Sequence, residues 1–182
     1  MIRIKRLVVT LVSALALGAL QVVSVASPAQ ADDTIALKFE LRSYWNGKCV
    51  EILGLNNNNG AGVGAWDCWG GPNQLWYWDP TRQAIRSVMN HKCLEILSFN
   101  NNNGAQLGMW DCWGGANQRW SYPGAYDQVV KIQSLFNYKY MDLLYHDNRN
   151  GAWVGVWDAT SGTNQWWQTL HYVCAPGECP IG

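Results

Sequence analysis

Charged residues are scarce in this chain: Asp, Glu, Lys and Arg make up 14% of it, with 13 basic against 13 acidic side chains. That balance leaves no basic stripe to hold a phosphate backbone, so no nucleic-acid partner is expected. Histidine is rarer still. His91, His146 and His171 share no common spacing, which argues against a metal site or a catalytic triad, and each reads as an ordinary surface or satisfied histidine. Apolar residues at helical spacing are also missing. The periodic signal is instead that of short strands, such as Cys49 to Leu53, bounded by Asn and Gly clusters.

Long apolar runs are confined to the first thirty residues. Arg3, Lys5 and Arg6 precede an apolar stretch from Leu7 to Ala26 that ends at Ala29-Gln30-Ala31. This reads as a secretory signal peptide over 1–31, with cleavage before Asp32. A retained anchor is the rival, since the stretch approaches the ~20 residues that span a bilayer; small residues at 29 and 31 favour cleavage. No cysteine stands at the cleavage point and no Arg-Arg pair precedes it, so neither lipidation nor twin-arginine export is expected. The expectation is therefore an extracellular protein, without membrane insertion once the leader is removed. Residues 32–182 suit a single domain. The leader takes three basic residues and no acidic one, so the charge of the remainder is 10 − 13 = −3 with histidines neutral.

What the chain has in excess is tryptophan. All twelve lie after residue 31, more indole than a core of this size needs, so some is expected to face a ligand. Their placement exposes a threefold repeat. Trp66, Trp110 and Trp157 are 44 and then 47 residues apart, and the same offsets relate Gln74, Gln118 and Gln165, and Trp76, Trp120 and Trp167. The three units run over about 37–80, 81–125 and 126–171, with a short tail at 172–182. Unchanged spacing within a unit implies one backbone repeated, while the three added residues between Trp120 and Lys139 mark a tolerant connection. Each Asn cluster ends in Asn-Gly, at Gly60, Gly104 and Gly151, which predicts tight hairpin turns with positive φ at both central residues. Three β units are too few for a propeller. Closure about a pseudo-threefold axis is the simpler way to hide strand edges.

All six cysteines also follow residue 31, as expected of disulfides in an exported protein. Cys49 and Cys68 are 19 apart, as are Cys93 and Cys112, and the third unit replaces both members together, with Tyr140 and Ala159. Joint loss argues that they pair. Cys174 and Cys179 remain, either closing a terminal loop or bridging to a second chain.

Asn73-Gln74-Leu75-Trp76, Asn117-Gln118-Arg119-Trp120 and Asn164-Gln165-Trp166-Trp167 are three in-register Gln-x-Trp signatures. In this the chain resembles the ricin-B-type lectins, from about Leu37 to Leu170. The resemblance implies an all-β fold, a β-trefoil of three internal repeats with pseudo-threefold symmetry, and up to one shallow sugar pocket per unit. It implies that the carboxylate two residues after the first cysteine position accepts hydrogen bonds from sugar hydroxyls; here that is Glu51, Glu95 and Asp142. A carboxylate can accept from two adjacent hydroxyls, and such charge-assisted bonds are the stronger kind. The family's stacking aromatic falls on Trp66, Trp110 and Trp157. Core packing is the other use for these indoles, but the adjacent Asp67, Asp111 and Asp158 suggest strand ends near the surface. Asn73, Asn117 and Asn164 would complete the polar set. Gln74, Gln118 and Gln165 either touch sugar or support neighbouring backbone, while Trp76, Trp120 and Trp167 are expected in the core.

Departures from the family pattern concern pocket shape. Glu51 and Glu95 replace the usual Asp, and Gly64, Gly108 and Gly155 stand where binding members often carry a polar side chain. The first two units add Trp69 and Trp113 where the third has Thr160. Either they widen an aromatic surface or they pack under the neighbouring hairpin.

Function follows from the symmetry. An enzyme needs carboxylates in different environments or a nucleophile with its base, whereas threefold repetition suits equivalent binding sites. The reading is a secreted lectin, not an enzyme, requiring no cofactor or metal and taking a glycan or polysaccharide. Individually weak sites, around millimolar each (about −4 kcal/mol), would gain avidity on a repetitive ligand. A protein-binding trefoil, such as a hydrolase inhibitor or toxin-targeting subunit, would use the same scaffold without repeated polar pockets. A purely structural or assembly protein, held by its aromatic surface and terminal cysteines, is the third reading.

Overall fold

The computed structural model describes residues 38–122 and 127–172. The proposed leader and the Cys174 and Cys179 pair lie outside the described residues. Strands β1 (Lys38–Ser43), β2 (Cys49–Ile52), β3 (Ala61–Trp66) and β4 (Trp76–Asp79) build the first unit. The second unit consists of β5 (Ala84–Ser87), β6 (Cys93–Ile96), β7 (Ala105–Trp110) and β8 (Trp120–Ser121). In the third the opening strand is split into β9 (Val129–Val130) and β10 (Gln133–Ser134), followed by β11 (Tyr140–Leu143), β12 (Ala152–Trp157) and β13 (Trp167–Tyr172). The split falls beside the three-residue insertion, which the repeat absorbs without displacing its later landmarks.

Two sets of antiparallel pairings close the structure. The first and last strands run together over their whole length, from Lys38 opposite Tyr172 to Ser43 opposite Trp167. The third strands of the units, β3, β7 and β12, pair with one another around the pseudo-threefold axis, through Ala61–Met109, Gly155–Gln106 and Ala152–Ala65. Each therefore has a partner on both sides, since β2, β6 and β11 return against the other edge. This is the β-trefoil that the resemblance implied, closed about the pseudo-threefold axis expected from the repeat.

The core repeats threefold as well. Leu41, Ile85 and Ile132 form one set of equivalent buried positions; Ile52, Ile96 and Leu143 form another, and Val63, Leu107 and Val154 a third. Trp76, Trp120 and Trp167 are fully enclosed, and each indole N–H donates to a backbone carbonyl, that of Val50, Leu94 or Met141, at 3.0–3.2 Å. A buried indole with its one donor satisfied is a core residue, as the repeat predicts.

The Asn-Gly hairpins differ from expectation. The chain between β2 and β3 is too long for a two-residue turn, and only the glycine of each Asn-Gly has positive φ, at 82–87°. The left-handed residues sit earlier, as consecutive pairs: Gly54 and Leu55, Ser98 and Phe99, Tyr145 and His146. The asparagine is used for its amide instead. Asn150 Oδ1 accepts from the Asp67 N–H at 3.1 Å and Lys48 Nζ at 2.7 Å, while its Nδ2 donates to Asp67 Oδ2 at 2.8 Å. Asn59 holds Lys92 and Asp111 in the same way, and Asn103 holds Lys139 and Asp158. Each hairpin thus clasps the Lys–Asp pair of the next unit, and the three clasps form a closed ring.

Candidate functional site

Glu51, Glu95 and Asp142 lie on the second strands, opposite Gly64, Gly108 and Gly155 on the third. Those glycines leave no room for the polar side chain of the family pattern: a Cβ at Gly64 would stand 2.9 Å from the Ala152 carbonyl and from Leu53. All three carboxylates are buried, between 3 and 5% exposed. Burial without a counter-charge is costly, so their partners decide whether they stay ionised.

The glutamines supply those partners. Gln74 Nε2 donates to Glu51 at 2.9 Å and to the Asp67 carbonyl at 3.0 Å, while its Oε1 accepts the Trp69 and Gly70 N–H groups at 2.9 and 3.3 Å. Gln118 does the same for Glu95 and its loop. Gln165 donates to Asp142 and the Asp158 carbonyl and accepts from Thr160. With both amide ends engaged inside the protein, these side chains brace the carboxylate and the loop. Asn73 and Asn117 donate to the Ile52 and Ile96 carbonyls, and Asn164 donates to the Leu143 carbonyl and to Asp142 Oδ1 at 2.8 Å. The shorter aspartate thereby has both oxygens held by amides.

Electrostatics follow burial. Desolvation raises the Glu95 carboxyl above its ordinary value, against hydrogen bonds from Gln118, Trp113 and Asn117. Desolvation likewise raises Asp142, opposed by Gln165 and Asn164 and by the positive field of His146 and Lys131. Outside, Asp67, Asp111 and Asp158 are lowered by hydrogen bonds from Lys48, Lys92 and Lys139 and from the clasping asparagines.

Among the described residues, a cavity of about 290 Å³ opens in the third unit. It is lined by Asp142, Trp157 and Asn164, together with Tyr145, His146 and Thr160. Trp157 and Tyr145 meet at 82° with centroids 5.9 Å apart, making a right-angled aromatic corner. His146 is backed edge-on by Trp45, 5.2 Å away. His146 is an exposed surface histidine, and the left-handed turn at Tyr145 and His146 brings both side chains to the cavity rim. His91 and His171 behave as expected, each within 3.3 Å of a tyrosine hydroxyl, Tyr77 or Tyr122.

In the first two units Trp69 and Trp113 occupy the place of Thr160. Trp69 lies against Gly71, where a Cβ would come within 2.0 Å of the ring, and its Nε1 reaches Glu51 at 3.4 Å. Trp113 lies on Gly115 likewise, with Phe99 edge-on at 5.7 Å. Both indoles remain largely exposed, at 57 and 56%. Trp66 and Trp110 are each about 40% exposed.

Two disulfides join Cys49 to Cys68 and Cys93 to Cys112, the pairing that joint loss implied. In the third unit Lys131 takes over that tie. Its Nζ donates to the Thr160 carbonyl at 2.6 Å while lying 5.3 and 5.2 Å from the rings of Tyr140 and Trp166. Lys131, Tyr145 and His146 were not singled out by the repeat, since they stand where the three copies differ.

The profile of the ricin-type beta-trefoil lectin domain matches residues 37–167. The chain belongs to this family. Among solved structures, this lectin chain is similar to the C-half of an earthworm R-type lectin in complex with GalNAc, at 26% identity and a TM-score of 0.61, covering 74% of this chain and 98% of that one. A designed threefold-symmetric protein, ThreeFoil, shares the fold at 24% identity and a TM-score of 0.67, over 73% and 97% of the two chains. The lectin chain also resembles part of an exo-beta-1,3-galactanase from Clostridium thermocellum, at 25% identity and a TM-score of 0.68. That match covers 78% of this chain but 31% of the galactanase.

Proposed function

We propose that this lectin-family chain is a secreted carbohydrate-binding protein that holds a glycan or polysaccharide at up to three carboxylate, tryptophan and asparagine clusters, and that it carries no catalysis of its own. The cavity around Asp142 carries the reading. A pyranose has an apolar C–H face and a rim of hydroxyls, and the cavity offers a matching pair of surfaces. The Trp157 indole is half-buried on one side, and a braced carboxylate with Thr160 and His146 lies on the others. Asp142 acts as acceptor for sugar hydroxyls while Gln165 and Asn164 hold it still. Secretion is supported by the leader pattern of residues 1–31 and by the two disulfides. The threefold repetition of the glutamine-braced carboxylate, in like settings on Glu51, Glu95 and Asp142, supports binding over hydrolysis.

The test is a glycan and insoluble-polysaccharide screen of the full exported chain, with N-acetylgalactosamine included because the earthworm relative is described in complex with it. Retention on at least one glycan, reduced by Trp157→Ala in a folded variant, is expected. A folded protein that retains none and instead captures a protein ligand would replace this reading with that of a protein-binding trefoil.

A further inference from the structure

We infer that the first and second units are closed to sugar by their own tryptophans, Trp69 and Trp113, so that the chain offers one working glycan pocket, in the third unit. This rests on the lectin reading above. The carboxylate, its glutamine brace and the outer tryptophan are present three times, and by that count the valence is three. The space in front of the carboxylate is what differs. In the third unit it is bounded by Thr160 and Gly162 and is open. In the first, three Trp69 ring carbons lie within 2.0–2.4 Å of where a Cβ on Gly71, the counterpart of Gly162, would stand. The ring therefore lies as a lid across Gly71, with its outer face in solvent and the residue 57% exposed, where the third unit carries only Thr160. Its Nε1–H donates to the same Glu51 oxygen that Gln74 braces.

An indole in this position presents what a bound sugar would present, a flat apolar face and a donor to the carboxylate. It is tethered, so it competes at a high effective concentration. Trp113 repeats the arrangement beside Glu95, its ring lying across Gly115 with Phe99 packed against it. The residues beside the carboxylate agree with this division. Where the third unit has Tyr145 and His146, the second has Ser98 and Phe99 and the first Gly54 and Leu55, which offer no imidazole or phenol to a hydroxyl. A single chain is then a monovalent binder, and cross-linking of glycan surfaces requires association of chains.

The experiment is a titration of the full exported protein with N-acetylgalactosamine, followed on the twelve indole N–H signals by nuclear magnetic resonance and counted by native mass spectrometry. One sugar per chain is expected, with the Trp157 signal moving and those of Trp66 and Trp110 still. Trp113→Thr combined with Ser98→Tyr and Phe99→His, which writes the third unit's residues into the second, is expected to raise the count from one to two. Three sugars on the wild type, or a folded triple variant that stays at one, overturns the proposal. If neither protein takes this sugar, the lids are still judged without it. The Trp69 and Trp113 indole signals must shift in Glu51→Gln and Glu95→Gln, and signals that do not respond overturn the closure independently of the lectin reading.

Discussion

Asn59 of the first unit grips Asp111 of the second with both ends of its amide, Nδ2 donating to the carboxylate at 2.9 Å and Oδ1 accepting the backbone N–H at 3.0 Å. Lys92 completes the contact by donating to both side chains. Because the same contact recurs between the second and third units and between the third and first, it fastens each hairpin to its neighbour in a ring. Asn59→Asp is expected to destabilise the fold more than Asn59→Ala, because it replaces a donor to Asp111 with a like charge. Thermal unfolding of the two variants at low and high salt checks this. The difference between them must shrink as salt screens the exposed carboxylates.

The third unit holds its loop with a cation where the others use a covalent bond. Lys131→Ala removes the bond to the Thr160 carbonyl and the contacts with Tyr140 and Trp166. A cost of about 1–2 kcal/mol is expected from one charge-assisted hydrogen bond and two cation–π contacts. Losing the Cys93–Cys112 bridge by double substitution to serine is expected to cost about 3 kcal/mol through loop closure. Denaturant unfolding ranks the two. Only Lys131→Ala is expected to weaken glycan binding as well, since Thr160 lines the cavity.

Acid acts on the site and the scaffold in opposite senses. Burial raises Asp142 above 3.8, and the folded state therefore gains stability when this group is protonated and loses it as pH rises through the raised value. The clasp carboxylates are lowered, so they contribute stability above 3.8 that is lost only as pH falls through their depressed values. On acidification, glycan binding should fail first, as Asp142 loses its charge, and unfolding should follow at lower pH. Glycan retention and tryptophan emission, measured on the same samples, must separate into two transitions. A single shared transition would count against the assignment of Asp142.

The fold was legible because it is written three times. Constant spacing of Gln74, Gln118 and Gln165 with their tryptophans marked the units, and the joint loss at Tyr140 and Ala159 identified the disulfide pairs. What the repeat concealed lies where the copies diverge. Tyr145 and His146 reach the cavity through left-handed backbone at non-glycine residues, for which sequence carries no cue. The exchange of Trp69 and Trp113 for Thr160 was visible, but its consequence depended on a ring folding back onto Gly71. The Asn-Gly pairs suggested a turn type, whereas the asparagine amides act across units. Such contacts follow from tertiary closure and leave no local pattern.

The central claim is that Asp142 and Trp157 bound a sugar pocket, and the most direct measurement compares wild type with Asp142→Ala for retention on the strongest glycan of the screen, both shown folded by their thermal transitions. Retention of the wild type and loss in the variant is the predicted result. Equal retention of the two, or retention of neither, contradicts it.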